Sequence, residues 1–247
     1  MSFSATTIQG LKDIIGAAVK ADDGGVPGIT AVVFDRSGTE LFVHSVGKCG
    51  ASSTKPLTPG HVFWMASCTK IVTAMSVMQL VERGSLSLDD GAELEALCPE
   101  LKEVQVLRDD GTLEPKKSSL TLRMLLTHTS GFGYTFYNEK LREYGSPIGV
   151  DWAGIAVERR TGVSLNEYMQ THIFKPLGLK NISMIPTSEM KANLAHMNYR
   201  DPSGKVIPRD HPYRQPLVVE TAEEKAKLFN SGGGGLFAKP QEYCPLC

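Results

Sequence analysis

Phe63-Trp64-Met65-Ala66-Ser67-Cys68-Thr69-Lys70 marks the point where an extended apolar run, Val62 to Ala66, gives way to a strongly helical segment. The context puts a hydroxyl at the mouth of a helix and an amine one turn further along. Residues three apart share a helix face, so Lys70 can reach the Ser67 oxygen, while the orphan amides and positive dipole end of the helix favour negative charge there. A weak nucleophile becomes usable in such a setting. The spacing S-x-x-K recurs at Ser45/Lys48, Ser52/Lys55 and Ser188/Lys191, but only Ser67 opens a long helix of apolar period. A capping role for Ser67 remains open beside the catalytic one, since serines at helix starts accept amide hydrogen bonds and first-turn lysines are usually solvated. Against capping alone, a lysine carries the wrong sign for a helix N-terminus.

Outward from this stretch, Ile8, Leu11, Ile14, Ile15 and Val19 recur at helical spacing and predict an amphipathic helix that ends at Asp22-Asp23-Gly24-Gly25. Gly28 to Asp35 and Glu40 to Val46 read as two strands joined by Arg36-Ser37-Gly38-Thr39, an antiparallel hairpin. Lys70 to Arg83 places Ile71, Ala74, Met75, Met78 and Val81 on one face, the expected buried face of a central helix that stops at Gly84. Short helices follow at 121 to 127, 151 to 161 and 164 to 172, separated by Gly and Pro breakers. Between them lies a loop, Gly131 to Gly149, carrying Phe132, Tyr134, Phe136, Tyr137 and Tyr144. Asp201-Pro202-Ser203-Gly204-Lys205 reads as a turn.

Three groups of residues carry a family resemblance. Phe63 to Lys70, followed by Gln79-Leu80-Val81-Glu82-Arg83-Gly84-Ser85-Leu86-Ser87-Leu88-Asp89-Asp90, resembles the nucleophile segment of the serine β-lactamase-like superfamily. Thr121-Leu122-Arg123-Met124-Leu125-Leu126-Thr127-His128-Thr129-Ser130-Gly131 resembles the helix and loop that come after it. Asp151-Trp152-Ala153-Gly154, Val157-Glu158-Arg159-Arg160-Thr161-Gly162 and Phe174-Lys175-Pro176-Leu177-Gly178-Leu179 resemble the branch of class C β-lactamase-like (family VIII) esterases and fungal lovastatin-side-chain-type acyltransferases. The resemblance implies an α+β fold of the β-lactamase/transpeptidase type, an antiparallel sheet flanked by helices plus a mostly helical lobe. Residues 1–247 would form one such domain, with the lobe, about 60–180, inserted between sheet segments.

The resemblance also implies the chemistry: Ser67 attacks a carbonyl, Lys70 accepts its proton, and an alcohol or water resolves the acyl-enzyme. A free lysine titrates near about 10.4, so a base role calls for burial, expected here from Trp64, Met65, Ile71 and Met75. A third member of the site is expected from the Tyr-Gly that precedes Asp-Trp-Ala-Gly in the branch, and Tyr144 is the candidate. Tyr144-Gly145 stands two residues too far from Asp151, and the residues before it resemble an upstream helix. An internal deletion is therefore expected between about Pro147 and Ile148. Relatives also continue past the Gly-rich turn at 232–235 into strands that complete the oxyanion hole, and this chain is expected to lack them. Losing one such donor costs on the order of a hundredfold in rate.

Three functional readings follow. The first is a serine acyltransferase or esterase acting on small-molecule esters or thioesters of secondary metabolism, its partners a small-molecule acyl donor and an alcohol acceptor, with an acyl carrier protein as an alternative donor. The second is a β-lactam hydrolase, normally exported. The third is a catalytically impaired, truncated remnant.

Other features are read as structural. His128 stands at the end of a helical run with no G-x-S-x-G elbow to supply it a serine, which makes it a helix-terminal residue. Ser231-Gly232-Gly233-Gly234-Gly235 lacks the GK[ST] ending of a phosphate loop and reads as a turn. Cys49, Cys68, Cys98, Cys244 and Cys247 form no disulfide framework, the C-x-x-C at 244–247 has no second pair, and Cys68 is expected to pack as a small hydrophobe. With 26 basic and 27 acidic residues in 247, net charge −1, the chain offers no electrostatic footprint for nucleic acid or an anionic membrane. No stretch is apolar enough to span a bilayer, the first ten residues lack a signal pattern, and a cytoplasmic setting with no cofactor or metal is expected.

Overall fold

The computed structural model describes residues 2–19, 24–141 and 147–247. In chain order the elements begin with helix α1 (Ala5–Ala18), strands β1 (Gly28–Phe34), β2 (Glu40–Gly47) and β3 (Phe63–Trp64), then helices α2 (Thr69–Glu82) and α3 (Gly91–Leu97). Strands β4 (Gln105–Leu107) and β5 (Leu113–Pro115) precede α4 (Leu122–Leu126), α5 (Gly149–Thr161) and α6 (Leu165–Met169). The remainder is β6 (Ile182–Ser183), α7 (Ser188–Ala192), β7 (Asn198–Arg200), β8 (Val206–Pro208), α8 (Gln215–Val218), α9 (Ala222–Ala226), β9 (Phe237–Ala238) and α10 (Pro240–Tyr243). They fall into two compact units, one of residues 1–65, 179–228 and 236–247 and one of residues 66–178 and 229–235.

The first unit holds the strands β1–β3 and β6–β9. β1 and β2 pair antiparallel from Gly28↔Gly47 to Phe34↔Glu40, with a register shift between Val33 and Phe34. The turn between them is held by Asp35, whose Oδ1 accepts from the amides of Ser37 (2.9 Å) and Thr39 (3.0 Å) while Gly38 takes φ of 79°. Asp201 and Gly204 repeat the device between β7 and β8, with Ser203 and Lys205 as the donors. An Asp-x-Ser-Gly run is therefore a turn with a mechanism: the side chain satisfies two amides and glycine takes the left-handed position. Helix α1, capped by Ser4 at Thr7 N, packs on β2, yet none of its residues is buried and Ile14 is 71% exposed.

The sheet departs from its expected form: among the described residues β1–β2, β4–β5 and β7–β8 are separate two-stranded ribbons, and one three-stranded sheet runs β3-β9-β6. Its middle strand is β9. Phe237-Ala238 follows Gly235 directly and pairs antiparallel with Phe63–Trp64 on one side and Ile182–Ser183 on the other. This strand after the Gly-rich turn could not be read from the sequence, because two residues carry too little pattern. Both are fully buried, and Phe237 joins Val62 and Met190 in a core cluster against which Trp64 and Tyr213 pack.

The second unit is mostly helical, built on α2 packed against α5, with α4 and α6 also on α5. Each helix start has a local reason. Thr121 accepts from Met124 N at the start of α4, Ser164 from Glu167 N at α6 and Asp90 from Glu93 N at α3. Helix α5 ends at Gly162 with φ of 75°, and α6 continues into a π-helical turn, Gln170–Phe174, within the segment expected as one helix. At the end of α4, His128 takes φ of 59° and the Thr129 amide donates to Met124 O at 2.9 Å, the six-to-one bond of a Schellman motif.

The buried face of α2 is not the expected one. Val72, Thr73, Ser76, Val77 and Leu80 are buried, whereas Ile71 and Met78 are 38% and 37% exposed. Two buried hydroxyls find backbone acceptors: Thr73 Oγ1 donates to Gly232 O at 2.8 Å, and Ser76 Oγ donates to Val72 O of its own helix at 2.9 Å. Among the described residues, no helix is long and apolar enough to cross a membrane.

Candidate active site

Ser67 lies in a single 3-10 turn, Ala66–Cys68, that leads into α2. The residue before it, Ala66, has φ of 45°, a left-handed conformation that residues with a Cβ seldom adopt. Strain of this kind costs of order 1–3 kcal/mol and gathers at functional sites. The Ala66 carbonyl accepts from Thr69 Oγ1 at 2.7 Å, which closes the turn. Ser67 is exposed, and so is Cys68, against the expectation of a packed thiol: the turn holds both side chains off the helix core.

Lys70 Nζ lies 2.9 Å from Ser67 Oγ and donates to the Gly233 carbonyl at 2.7 Å. Its ammonium also sits 5.9 Å from the centre of the Tyr134 ring. The geometry therefore joins the two residues that the spacing singles out. The carbonyl that steadies the amine comes from the glycine run 163 residues further on. Ile71, expected to help bury the amine, is 38% exposed, and among the described residues Ser67, Gly233 and Tyr134 stand beside Lys70 Nζ. Tyr144 lies outside the described residues.

The glycine run is built into the interior. Thr73 Oγ1 donates to Gly232 O at 2.8 Å, so two successive carbonyls of the turn, Gly232 and Gly233, meet side chains of α2. From the opposite side, Asp151 of α5, only 5% exposed, accepts from Gly233 N (2.8 Å) and Ser231 Oγ (2.6 Å), and its other oxygen accepts from Ile148 N (3.3 Å). A Cβ on Gly232 would stand 2.8 Å from Val150 O and 3.0 Å from Thr73 Cγ2, and one on Gly235 would stand 2.9 Å from Ser231 O. A Cβ on Gly154 of α5 would meet Leu165 Cδ2 at 2.7 Å and the Gly232 Cα at 3.4 Å. These glycines are there because backbone passes backbone, not because a phosphate must be cradled.

Glu158, about two turns beyond Asp151 on α5, holds the entrance to the turn. Its Oε1 accepts from Leu165 N at 2.7 Å and from Asn230 Nδ2 at 3.1 Å. Burial pushes this carboxyl above the ordinary range, and the bonds from Leu165 and Asn230 oppose that shift. On the outer side of α5, Arg159 holds Glu100 down to about 2 through a two-pronged hydrogen bond, 2.7 and 2.5 Å.

Sequence reasoning missed Asp151 and Thr73 as parts of the site. Asp151 was visible only as a motif member, and no local signal joins it to a turn 82 residues away. A cavity of about 540 Å³ opens beside β4 and β5, with Val106, Leu107, Leu113, Phe132 and Ile148 in its wall. Neither Ser67 nor Lys70 lines it. His128 is exposed and contributes no contact to Ser67 or Lys70.

The Beta-lactamase family matches residues 7–247. A lovastatin esterase of Penicillium rubens is 31% identical over 221 residues, covering 73% of this chain and 55% of the esterase. The acyltransferase mokF of Monascus pilosus is 28% identical over 282 residues, covering 97% of this chain and 65% of that protein. An alignment longer than the 247-residue chain means that this relative carries residues without a counterpart here. Among solved structures, a mutant of simvastatin synthase (LovD) from Aspergillus terreus superposes with a TM-score of 0.81 at 29% identity, covering 98% of this chain and 64% of that one. The chain thus spans about half to two thirds of the length of the relatives it matches. The family match over nearly the whole chain and the shared fold lead to one conclusion: this chain belongs to the Beta-lactamase family.

Proposed function

We propose that the chain carries a serine acyl-transfer site in which Ser67 is the nucleophile and Lys70 the base. The observation that carries this reading is the 2.9 Å approach of Lys70 Nζ to Ser67 Oγ with Gly233 O fixed on the other side of the amine. A neutral amine has two N–H donors and one lone pair. With an N–H committed to Gly233 O, the lone pair can face Ser67 and take its proton as the oxygen attacks a carbonyl carbon. The protonated amine then returns that proton to the leaving alcohol or thiol, and an acceptor alcohol or water releases the acyl group by the reverse sequence.

The substrate class is small-molecule esters or thioesters of secondary metabolism, in line with relatives named as lovastatin esterase and acyltransferase. An acyl carrier protein is a second candidate donor, and a cytoplasmic setting suits both. In this reading residues 1–247 form one β-lactamase-related domain with a helical lobe of about 60–180. Tyr144 is kept as the proposed third member of the site.

The test is labelling with a fluorophosphonate and intact-mass readout, followed by hydrolysis of p-nitrophenyl esters and short-chain thioesters. We expect one adduct, absent in Ser67→Ala, and ester turnover in preference to nitrocefin turnover. An adduct that persists at the parental rate in Ser67→Ala overturns the assignment.

A further inference from the structure

Asp151 has more to do than start a helix. An acidic residue at the third position of a helix ordinarily reaches back to the amide before the first turn, and Asp151 Oδ2 does so at Ile148 N. Oδ1, however, faces away from that role and takes two donors from the glycine turn, Gly233 N and Ser231 Oγ. The residue whose amide it holds is the one whose carbonyl holds Lys70. Only the backbone of Gly233 separates the buried carboxylate from the catalytic amine. A glycine has the freest backbone of any residue, so without an anchor the Gly233 carbonyl has no reason to stay aimed at Nζ.

We propose that Asp151 is the positioning residue of the acyl-transfer site: it clamps Gly233 so that the Gly233 carbonyl orients Lys70 toward Ser67. The inference rests on the reading of Ser67 and Lys70 as nucleophile and base. Charge-assisted bonds from a buried carboxylate are about twice as strong as neutral ones, which suits a carboxylate rather than an amide at this place. An asparagine could accept from Gly233 N only by turning its own N–H donors toward Ile148 N–H, a donor against a donor. Ser231 is the auxiliary: its hydroxyl fills the second acceptor site of Oδ1.

Two readouts test the clamp, one catalytic and one not. In Asp151→Asn the rate of fluorophosphonate adduct formation at Ser67 should fall by about tenfold to a hundredfold, as for a reacting group misplaced by an ångström, with the unfolding temperature measured alongside. In a Lys70→Ala background the same substitution should cost nothing further, since the clamp acts through the amine; an equal loss in both backgrounds assigns Asp151 to structure alone. Independently of any turnover, brief acetylation with mass-spectrometric mapping should show Lys70 modified severalfold faster in Asp151→Asn than in the parent, with exposed Lys205 unchanged. Ser231→Ala, which keeps the carboxylate, should show both effects at smaller size and serves if Asp151→Asn does not fold. Absence of any adduct in the parent chain counts against the acyl-transfer reading and leaves the acetylation readout to decide the clamp. Equal Lys70 acetylation in parent and variants overturns it.

Discussion

Lys70 stands between two segments of opposite character. On one side the turn 231–235 is backbone locked against backbone, held by Thr73, Asp151 and, through Asn230, Glu158. On the other the loop that follows α4 offers an aromatic ring, Tyr134, whose neighbours Phe136 and Tyr137 are 70% and 84% exposed and lie tilted against one another with ring centres 4.6 Å apart. The first segment can fix the direction of a carbonyl; the second can only crowd a volume. Precision at this amine therefore comes from the turn, and adaptability from the loop.

The division is open to attack at its strongest point first. Replacing Lys70 by arginine puts between the two segments a guanidinium with no removable proton at working pH, so adduct formation at Ser67 should drop by about a hundredfold or more. A rate within threefold of the parent would make the amine a bystander. Next, Gly232→Ala drives a Cβ into Val150 O and Thr73, which should lower stability by about 1–3 kcal/mol in a denaturant titration. No change there would mean that the turn can shift, and the claim of rigidity fails.

A pH experiment sharpens the same contrast. Glu158 titrates above its ordinary range because burial disfavours its charge. Its contribution to stability is complete below the unfolded carboxyl value, near about 4.3, and is lost as pH rises through the higher folded value. Glu158→Gln should remove that loss, so the variant gains on the parent in going from pH 4 to pH 8. Glu100 works with the opposite sign: held at about 2 by Arg159, it supports the fold above the ordinary carboxyl range and ceases to as pH falls through about 2. A parent whose stability difference from Glu158→Gln is flat across pH 4–8 would refute the burial account. The smallest effect belongs to the loop. Tyr134→Ala removes a contact worth about 0.5–1 kcal/mol and should slow adduct formation less than about fivefold. A larger loss would promote the loop from volume to geometry.

What the chain's letters disclosed follows the reach of the interactions. Ser67 and Lys70 are three residues apart on one turn, and the hairpin at 28–47 is decided by four residues at its tip, so both could be read locally. The inward face of α2 could not. Its hydroxyls look like a polar stripe until the Gly232 carbonyl, 159 residues away, is placed opposite Thr73. The same holds for Asp151, an ordinary first-turn acid until Gly233 arrives. Strand β9 escaped notice for the contrary reason, being too short to show any period at all while buried on both sides.

The glycines where α5 passes the turn have an evolutionary consequence. A Cβ on Gly232 would stand 2.8 Å from Val150 O and one on Gly154 would stand 2.7 Å from Leu165 Cδ2, so replacements there disturb the packing before they can alter specificity. Divergence in what the site accepts must then accumulate elsewhere, and the exposed aromatic loop beyond Gly131 is the segment free to supply it. On the proposed reading of the site, the turn supplies the part that must stay fixed and the loop the part that can vary.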